Sequence, residues 1–257
     1  MPKSGQARVP SIDEQRQLFD VIQKHRHPEK NTAIMQISFK LGLRAQEIAL
    51  LQVKEIAQKV SKGEFRIHQV MSLPAAYTKG ADAMNRSKST YVRKTISFDR
   101  EIFDKVVDQI VKLTEAGVRV SPEDFYPPVK KRKGKFRDLP LVDEELRNAL
   151  EEYLLLRVSK DPNLKLSDPL FITQKGGAYS PNTLQEHMAL MLRNWAGIEK
   201  ASSHSGRRAL ITDVIHKQRK SVKVAQKIAG HVNPSTTLIY EEPPEEEISD
   251  ALSKISQ

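Results

Sequence analysis

The chain contains no cysteine, which excludes disulfides, thiolate metal sites and cysteine nucleophiles together. His25 and His27 lack acidic partners at ligand spacing and read as surface residues, so no metal is expected. No apolar run approaches the roughly 18 residues of a membrane span. The first ten residues, MPKSGQARVP, are polar and basic, unlike a signal peptide. A soluble, intracellular protein without membrane contact is the expectation. Acidic residues are in the minority: 32 Asp+Glu face 42 Lys+Arg, giving a net charge of +10. Six of those acids and a single base fall in residues 241–257, so the rest of the chain is more basic than the total suggests. Such a body suits a polyanion, although a solvated lysine-rich surface has the same composition.

At 257 residues the chain is long enough for one large domain, or for one domain with a modest appendage. Ser11-Ile12-Asp13-Glu14 opens a helix with a capping pattern, and Leu18, Phe19 and Ile22 continue it at helical spacing to about Lys24. A second helix from near Asn31 carries Ile34, Ile37 and Leu41 and breaks at Gly42, after which Arg44 stands at the start of the next. Phe65 to Leu73 and Tyr91 to Phe98 read as strands. Between them Thr78-Lys79-Gly80 suggests a turn, and Val129 to Leu141 resembles a hairpin with Gly134 at its tip. Glu101 to Leu113 reads as a helix with Ile102, Phe103, Val106, Val107 and Ile110 inward. Helices follow over 144–157, 181–195 behind Ser180, 204–217 and 221–229, and a short amphipathic one from about Glu246 to Ile255. The expected fold class is mixed α/β, mainly α-helical with a small antiparallel sheet.

The chemistry concentrates near the end of the chain. His204-Ser205-Gly206-Arg207, Ala229-Gly230-His231 and Tyr240 place two histidines, an arginine and a tyrosine in one short span. A phosphodiester repels nucleophiles, so breaking it needs cations around the phosphate, a donor for the leaving 5′-oxygen and an activated nucleophile. These residue types supply that set. Taken singly, each histidine is more commonly a buried, hydrogen-bonded side chain, and a tyrosine is a poor nucleophile until cations surround it.

In order along the chain, Gly42-Leu43-Arg44-Ala45-Gln46-Glu47, His204-Ser205-Gly206-Arg207-Arg208, Gly230-His231 and Tyr240 resemble the G-L-R-x-x-E, H-x-x-R and G-H boxes and the nucleophile of the tyrosine recombinases, the phage-integrase family. Leu170 to Gly177 resembles the segment between the boxes. The resemblance implies the DNA breaking-and-rejoining catalytic fold and no cofactor. It assigns Arg44 and Arg207 to the scissile phosphate, His204 to Tyr240 or the phosphate, His231 to a hydrogen bond with the phosphate, and Tyr240 to a 3′-phosphotyrosine link. The family's general acid is a lysine on a hairpin. Lys79 fits by its place after a strand, with Lys133 as the alternative, because Phe136 to Leu141 also looks like the strand leaving that hairpin. Lys130, Lys131, Arg132, Lys133, Lys135 and Arg208 are the expected DNA contacts.

The domain expectation is a catalytic domain over 1–240 with an unusual insertion around 81–130, no full-length N-terminal clamp domain, and an acidic tail, 241–257, whose helix packs on a neighbouring protomer. The implied activity is site-specific recombination or integration of mobile DNA. Its implied partners are double-stranded DNA at a specific site, further copies of the chain in a tetramer, and an accessory DNA-binding protein. The implied setting is cytoplasmic and nucleoid-associated. Two rivals stand beside it: a type IB topoisomerase-like enzyme, and a catalytically silent DNA-binding regulator.

Overall fold

The structure is a computed structural model that describes residues 7–77, 100–120, 136–231 and 233–240, together with Ile248, Ser249, Leu252 and Ser253. The chain divides into two compact units, Met1–Lys79 with Gly134–Gln257, and Gly80–Lys133.

In the first unit, local chemistry sets the helix starts. Helix α1 (Ile12–Gln23) begins at Ser11, whose hydroxyl accepts the Glu14 N–H while the Glu14 carboxylate accepts that of Ser11. Helix α2 (Pro28–Gln36) runs through the core with Ala33, Ile34 and Met35 fully buried, and widens into a π turn over Ile37–Leu41. Gly42, at φ +63°, ends it in the left-handed region, where a side chain would be strained. The chain thereby turns into α3 (Ala45–Leu50) and α4 (Val53–Ile56). Strands β1 (Ala57–Ser61) and β2 (Glu64–Ile67) form an antiparallel hairpin, and β3 (Val70–Leu73) pairs antiparallel with β4 (Arg137–Pro140). The expected continuous strand from Phe65 to Leu73 is therefore two strands, parted at His68-Gln69, each with a different partner. Residues 137–140 pair with β3, and Val129 to Lys135, the rest of the expected hairpin, lie outside the described residues.

Helix α6 (Glu144–Lys160) starts at Asp143, whose carboxylate caps the Leu146 N–H, and packs along α2. Helix α7 (Pro181–Leu190) starts at Ser180, packs on α3 and widens into a π turn over Met191–Trp195. Helix α8 (Ser205–Thr212) widens likewise over Asp213–Lys217, and α9 (Val222–Ala229) and α10 (Ser235–Leu238) follow. Helix α8 lies against the first π turn so closely that a Cβ on Gly206 would stand 2.5 Å from Ser38 Oγ. That contact brings the two ends of the sequence motif together.

In the second unit the described residues form helix α5 (Arg100–Glu115) and the turn after it, up to Val120. The helix lies where its periodicity predicts, but Phe103 is 52% exposed and Val107 38% exposed, so these two are not inward. Tyr91 to Phe98 and most of the acidic tail lie outside the described residues. Among the described residues no helix is long and apolar enough to cross a membrane.

Candidate active site

Arg44 is the residue just before α3, in extended backbone (φ −75°, ψ 152°), delivered there by the Gly42 turn. Glu47, one turn further on and 0% exposed, accepts the Arg44 backbone N–H at 2.8 Å and its guanidinium at 3.0 Å. Its Oε2, which accepts the Arg44 N–H, also accepts from Arg137 Nη2 at 3.0 Å. Arg137 also donates to the Ile228 carbonyl at 3.0 Å. One buried carboxylate thus orients two arginines, one of them ninety positions further along the chain from Glu47 itself.

Arg207, 3% exposed, is held by backbone rather than by acids. Its Nη1 donates to the Gly42 carbonyl at 2.6 Å and its Nη2 to the Ala229 carbonyl at 2.5 Å. Both carbonyls sit at helix ends, before or at left-handed glycines, where they lack intrahelical partners. Burial, then Arg44, pull the Arg207 guanidinium down to about 9, against the pull of Glu47, so it stays charged at neutral pH. His231 Nδ1 lies 2.8 Å from the Thr237 hydroxyl. Burial, followed by Arg207, Arg44 and Arg137, pushes His231 down to about 3, and its ring is neutral.

Tyr240 follows α10. Its ring is stacked against His231 at 6.2 Å, the Arg208 guanidinium lies 5.4 Å from its centroid, and its carbonyl accepts a hydrogen bond from His216 Nε2 at 2.8 Å. His204, exposed at the start of α8, completes the rim. Arg44, His204, Arg207, Arg208, His231 and Tyr240 all line one cleft of about 360 Å³. Every residue that sequence reasoning placed in the site and that the structure describes is therefore in one place. Lys79, Lys130, Lys131, Arg132, Lys133 and Lys135 lie outside the described residues.

Sequence reasoning missed Arg137, His216 and Thr237. Arg137 had a readable signal: it shares its face of β4 with the buried Leu139, and an arginine in register with an apolar face needs a buried acid. His216 and Thr237 show no such pattern. Electrostatically the cleft sets Arg44, Arg137, Arg207 and Arg208 against Glu47, an excess of positive charge in a partly desolvated setting. An anion with several oxygens is the complement of that arrangement, and a tyrosine hydroxyl lies beside it. Among the described residues no group of three or more His, Asp or Glu side chains is placed to hold a metal ion.

The fold matches solved recombinases. XerA recombinase is 19% identical, with all of this chain and 66% of that one aligned, at TM-score 0.59. XerH site-specific recombinase, bound to a palindromic difH substrate in a post-cleavage complex, is 16% identical over 97% of this chain and 53% of that one, at TM-score 0.57. The Tn1549 transposon integrase in complex with transposon right end DNA is 13% identical over 100% and 69%, at TM-score 0.58. The chain thus spans roughly half to two thirds of the length of XerH and XerA. No curated protein matches the sequence. The family model described as the phage integrase family matches residues 101–247, more than half of the chain, a span that starts after Arg44 and holds His204, Arg207, His231 and Tyr240. With that match laid over a cleft in which those four residues meet Arg44, the chain belongs to the phage integrase family.

Proposed function

We propose that the chain is a site-specific DNA recombinase or integrase that cleaves and rejoins double-stranded DNA through a 3′-phosphotyrosine intermediate. The observation that carries this reading is the convergence of Arg44, His204, Arg207, His231 and Tyr240 on one cleft. In the proposed reaction the Tyr240 hydroxyl oxygen attacks the scissile phosphorus and gives its proton to His204. Arg44 and Arg207 offset the charge that grows on the non-bridging oxygens, worth about 3–4 kcal/mol for each donor in comparable sites. His231, with Nδ1 accepting from Thr237, turns an Nε2 proton toward the phosphate. The bond to the 5′-oxygen breaks, and a lysine, Lys79 or else Lys133, protonates that oxygen. A 5′-hydroxyl then attacks the phosphotyrosine, restoring a DNA strand and free Tyr240 with no net consumption of bonds. The partner is double-stranded DNA at a specific site, bound by several copies of the chain in the cytoplasm, and an accessory protein together with the acidic tail's packing on a neighbour would complete the assembly.

The test is a DNA substrate nicked beside candidate crossover sequences from the flanks of the encoding gene, which traps the covalent intermediate. A protein–DNA band on a denaturing gel, absent with Tyr240→Phe, is the expected result. Salt-sensitive DNA binding with no band on any substrate would refute strand transfer and leave a DNA-binding regulator, whereas relaxation without recombinants would favour a topoisomerase. A substrate with sulfur in place of the bridging 5′-oxygen needs no proton donor, so it should restore cleavage to whichever of Lys79→Ala and Lys133→Ala removes the general acid.

A further inference from the structure

A second cleft, of about 440 Å³, opens between the α1–α2 turn, the 172–179 segment and α7, and shares no residue with the Tyr240 cleft. It lies at the start of α2, whereas Gly42 follows the end of the helix about 20 Å away. Its wall is a run of rings. His25 stacks on Trp195 with centroids 3.9 Å apart and planes 4° from parallel, and His187 stands edge-on to Trp195 at 5.9 Å while facing Tyr179 at 6.0 Å.

Lys30, only 6% exposed, donates to the Ile172 carbonyl at 3.1 Å and sits 5.3 Å from the Tyr179 centroid. Among the described residues no carboxylate pairs with it. Burial and then Lys160 pull its ammonium below the ordinary lysine value. The neighbouring His27 is lowered by burial and then by Lys30, Lys160 and Arg26, with Glu29 alone opposing. A buried cation among like charges is costly until an anion completes it. Asn31 uses its Nδ2 on the Arg26 carbonyl, so its Oδ1 accepts the His187 Nε2 proton at 2.8 Å and leaves His187 Nδ1 as an acceptor. A run of rings, a buried ammonium that no carboxylate among the described residues neutralises, and one neutral acceptor in a space of this size match a ligand that is aromatic at one end and anionic at the other.

We propose that this cleft binds one nucleotide unit, with its phosphate toward Arg26, His27 and Lys30 and its base against the rings of Trp195, His187 and Tyr179. The same chemistry is offered by a free mononucleotide and by a nucleotide unpaired from a DNA strand. The proposal does not rest on strand transfer, and loss of the Tyr240 covalent band would leave it standing.

Trp195 is the single tryptophan of the chain, so its fluorescence reports on this cleft alone. Tyr240→Phe protein, which removes strand chemistry from the measurement, is titrated with deoxyadenosine monophosphate, deoxyadenosine, inorganic phosphate, a duplex with one unpaired nucleotide and the same duplex fully paired. Saturable quenching by the monophosphate or by the unpaired nucleotide is expected, with the responding arm naming the source. Affinity should fall about tenfold for deoxyadenosine, and as much in Arg26→Gln and Lys30→Met, as the loss of a charge-assisted contact implies. Arg26 is on an exposed turn, so its variant keeps the test alive if Lys30→Met does not fold. Absence of quenching in every arm, equal affinity for phosphate alone, equal response to the paired duplex, or unchanged affinity in the folded variants would each overturn the proposal.

Discussion

Replacing Glu47 by glutamine tests the reasoning most severely, because the substitution keeps shape and removes only charge. In the wild-type protein the buried carboxylate accepts the Arg44 backbone N–H at 2.8 Å, the Arg44 guanidinium at 3.0 Å and Arg137 at 3.0 Å. A neutral amide offers one acceptor oxygen and must point its NH₂ at one of these donors. At least one arginine N–H is then unpaired, and Arg44, Arg137 and Arg207 are left without their common counter-charge. Breaking a buried ion pair from one side costs about 3–5 kcal/mol. That loss is a large share of a total stability of about 5–15 kcal/mol. With a urea dependence of about 3 kcal/mol per molar, the variant's midpoint should drop by roughly 1–2 M. Urea titrations followed by circular dichroism and Trp195 fluorescence measure this directly. The double variant Glu47→Gln with Arg137→Met removes both the charge and its buried partner, and should be less destabilised than the sum of the single changes by about 1–3 kcal/mol. A midpoint shift below about 0.3 M, or strict additivity, would show that Glu47 does not compensate these arginines.

Three further outcomes follow from the same geometry. Because burial holds His231 near 3 and His187 near 4, both far below the ordinary 6.5, the unfolded chain takes up protons that the folded one refuses; stability is complete above about pH 6.5 and declines as pH falls toward those values. His231→Gln should flatten that decline by up to about 1.4 kcal/mol per pH unit, and an unchanged slope of urea midpoint against pH would contradict it. Arg44→Gln and Arg207→Gln should each slow covalent complex formation by about 10²–10³-fold, and both should lower the urea midpoint, Arg44→Gln by taking a partner from buried Glu47 and Arg207→Gln by leaving the Gly42 and Ala229 carbonyls without donors. His216→Phe frees the Tyr240 backbone and should slow covalent complex formation about tenfold or more with DNA affinity unchanged; a parallel loss of affinity would assign His216 to DNA binding instead.

What was legible in the sequence is what neighbouring residues decide. Ser11 with Glu14, Asp143 and Ser180 cap helices through side chains three residues from their targets, and Gly42 ends its helix by its own backbone freedom. The boxes around Arg44, Arg207 and His231 were legible for the same reason, as short strings with fixed spacing. Pairing across the chain left no such trace. Strand β1, Ala57–Ser61, has few residues that favour strands and exists because β2 lies beside it. The β3–β4 ladder joins positions whose nearest neighbours in sequence give no hint of each other. The face that Arg137 occupies on β4 calls for a buried acid, but only the fold brings Glu47 to it, and His25 and His27, read as surface residues, become cleft walls only when α7 brings His187 and Trp195 to them. The three π turns among the described residues, at Ile37–Leu41, Met191–Trp195 and Asp213–Lys217, precede or contain a residue of one of the two clefts or its supports, and nothing in the helical periodicity marks them.

The β3–β4 ladder also explains how the chain tolerates so much sequence between the motif boxes. Its last pair is Leu73 with Arg137, and Arg137 is bonded to Glu47 and to the Ile228 carbonyl, so that end of the ladder is fixed to the α3 start and the α9 end. Closing residues 74–136 across a fixed ladder, in place of a short turn, costs only about 2–3 kcal/mol of chain entropy. The segment can therefore vary while Arg44 and Arg207 stay where they are. In sequence Lys79 stands six residues after β3 and Lys133 four before β4, and both lie outside the described residues. Loss of Glu47 removes the acid that holds both Arg44 and Arg137, so its effect on cleavage should exceed that of Arg44→Gln even where the protein remains folded.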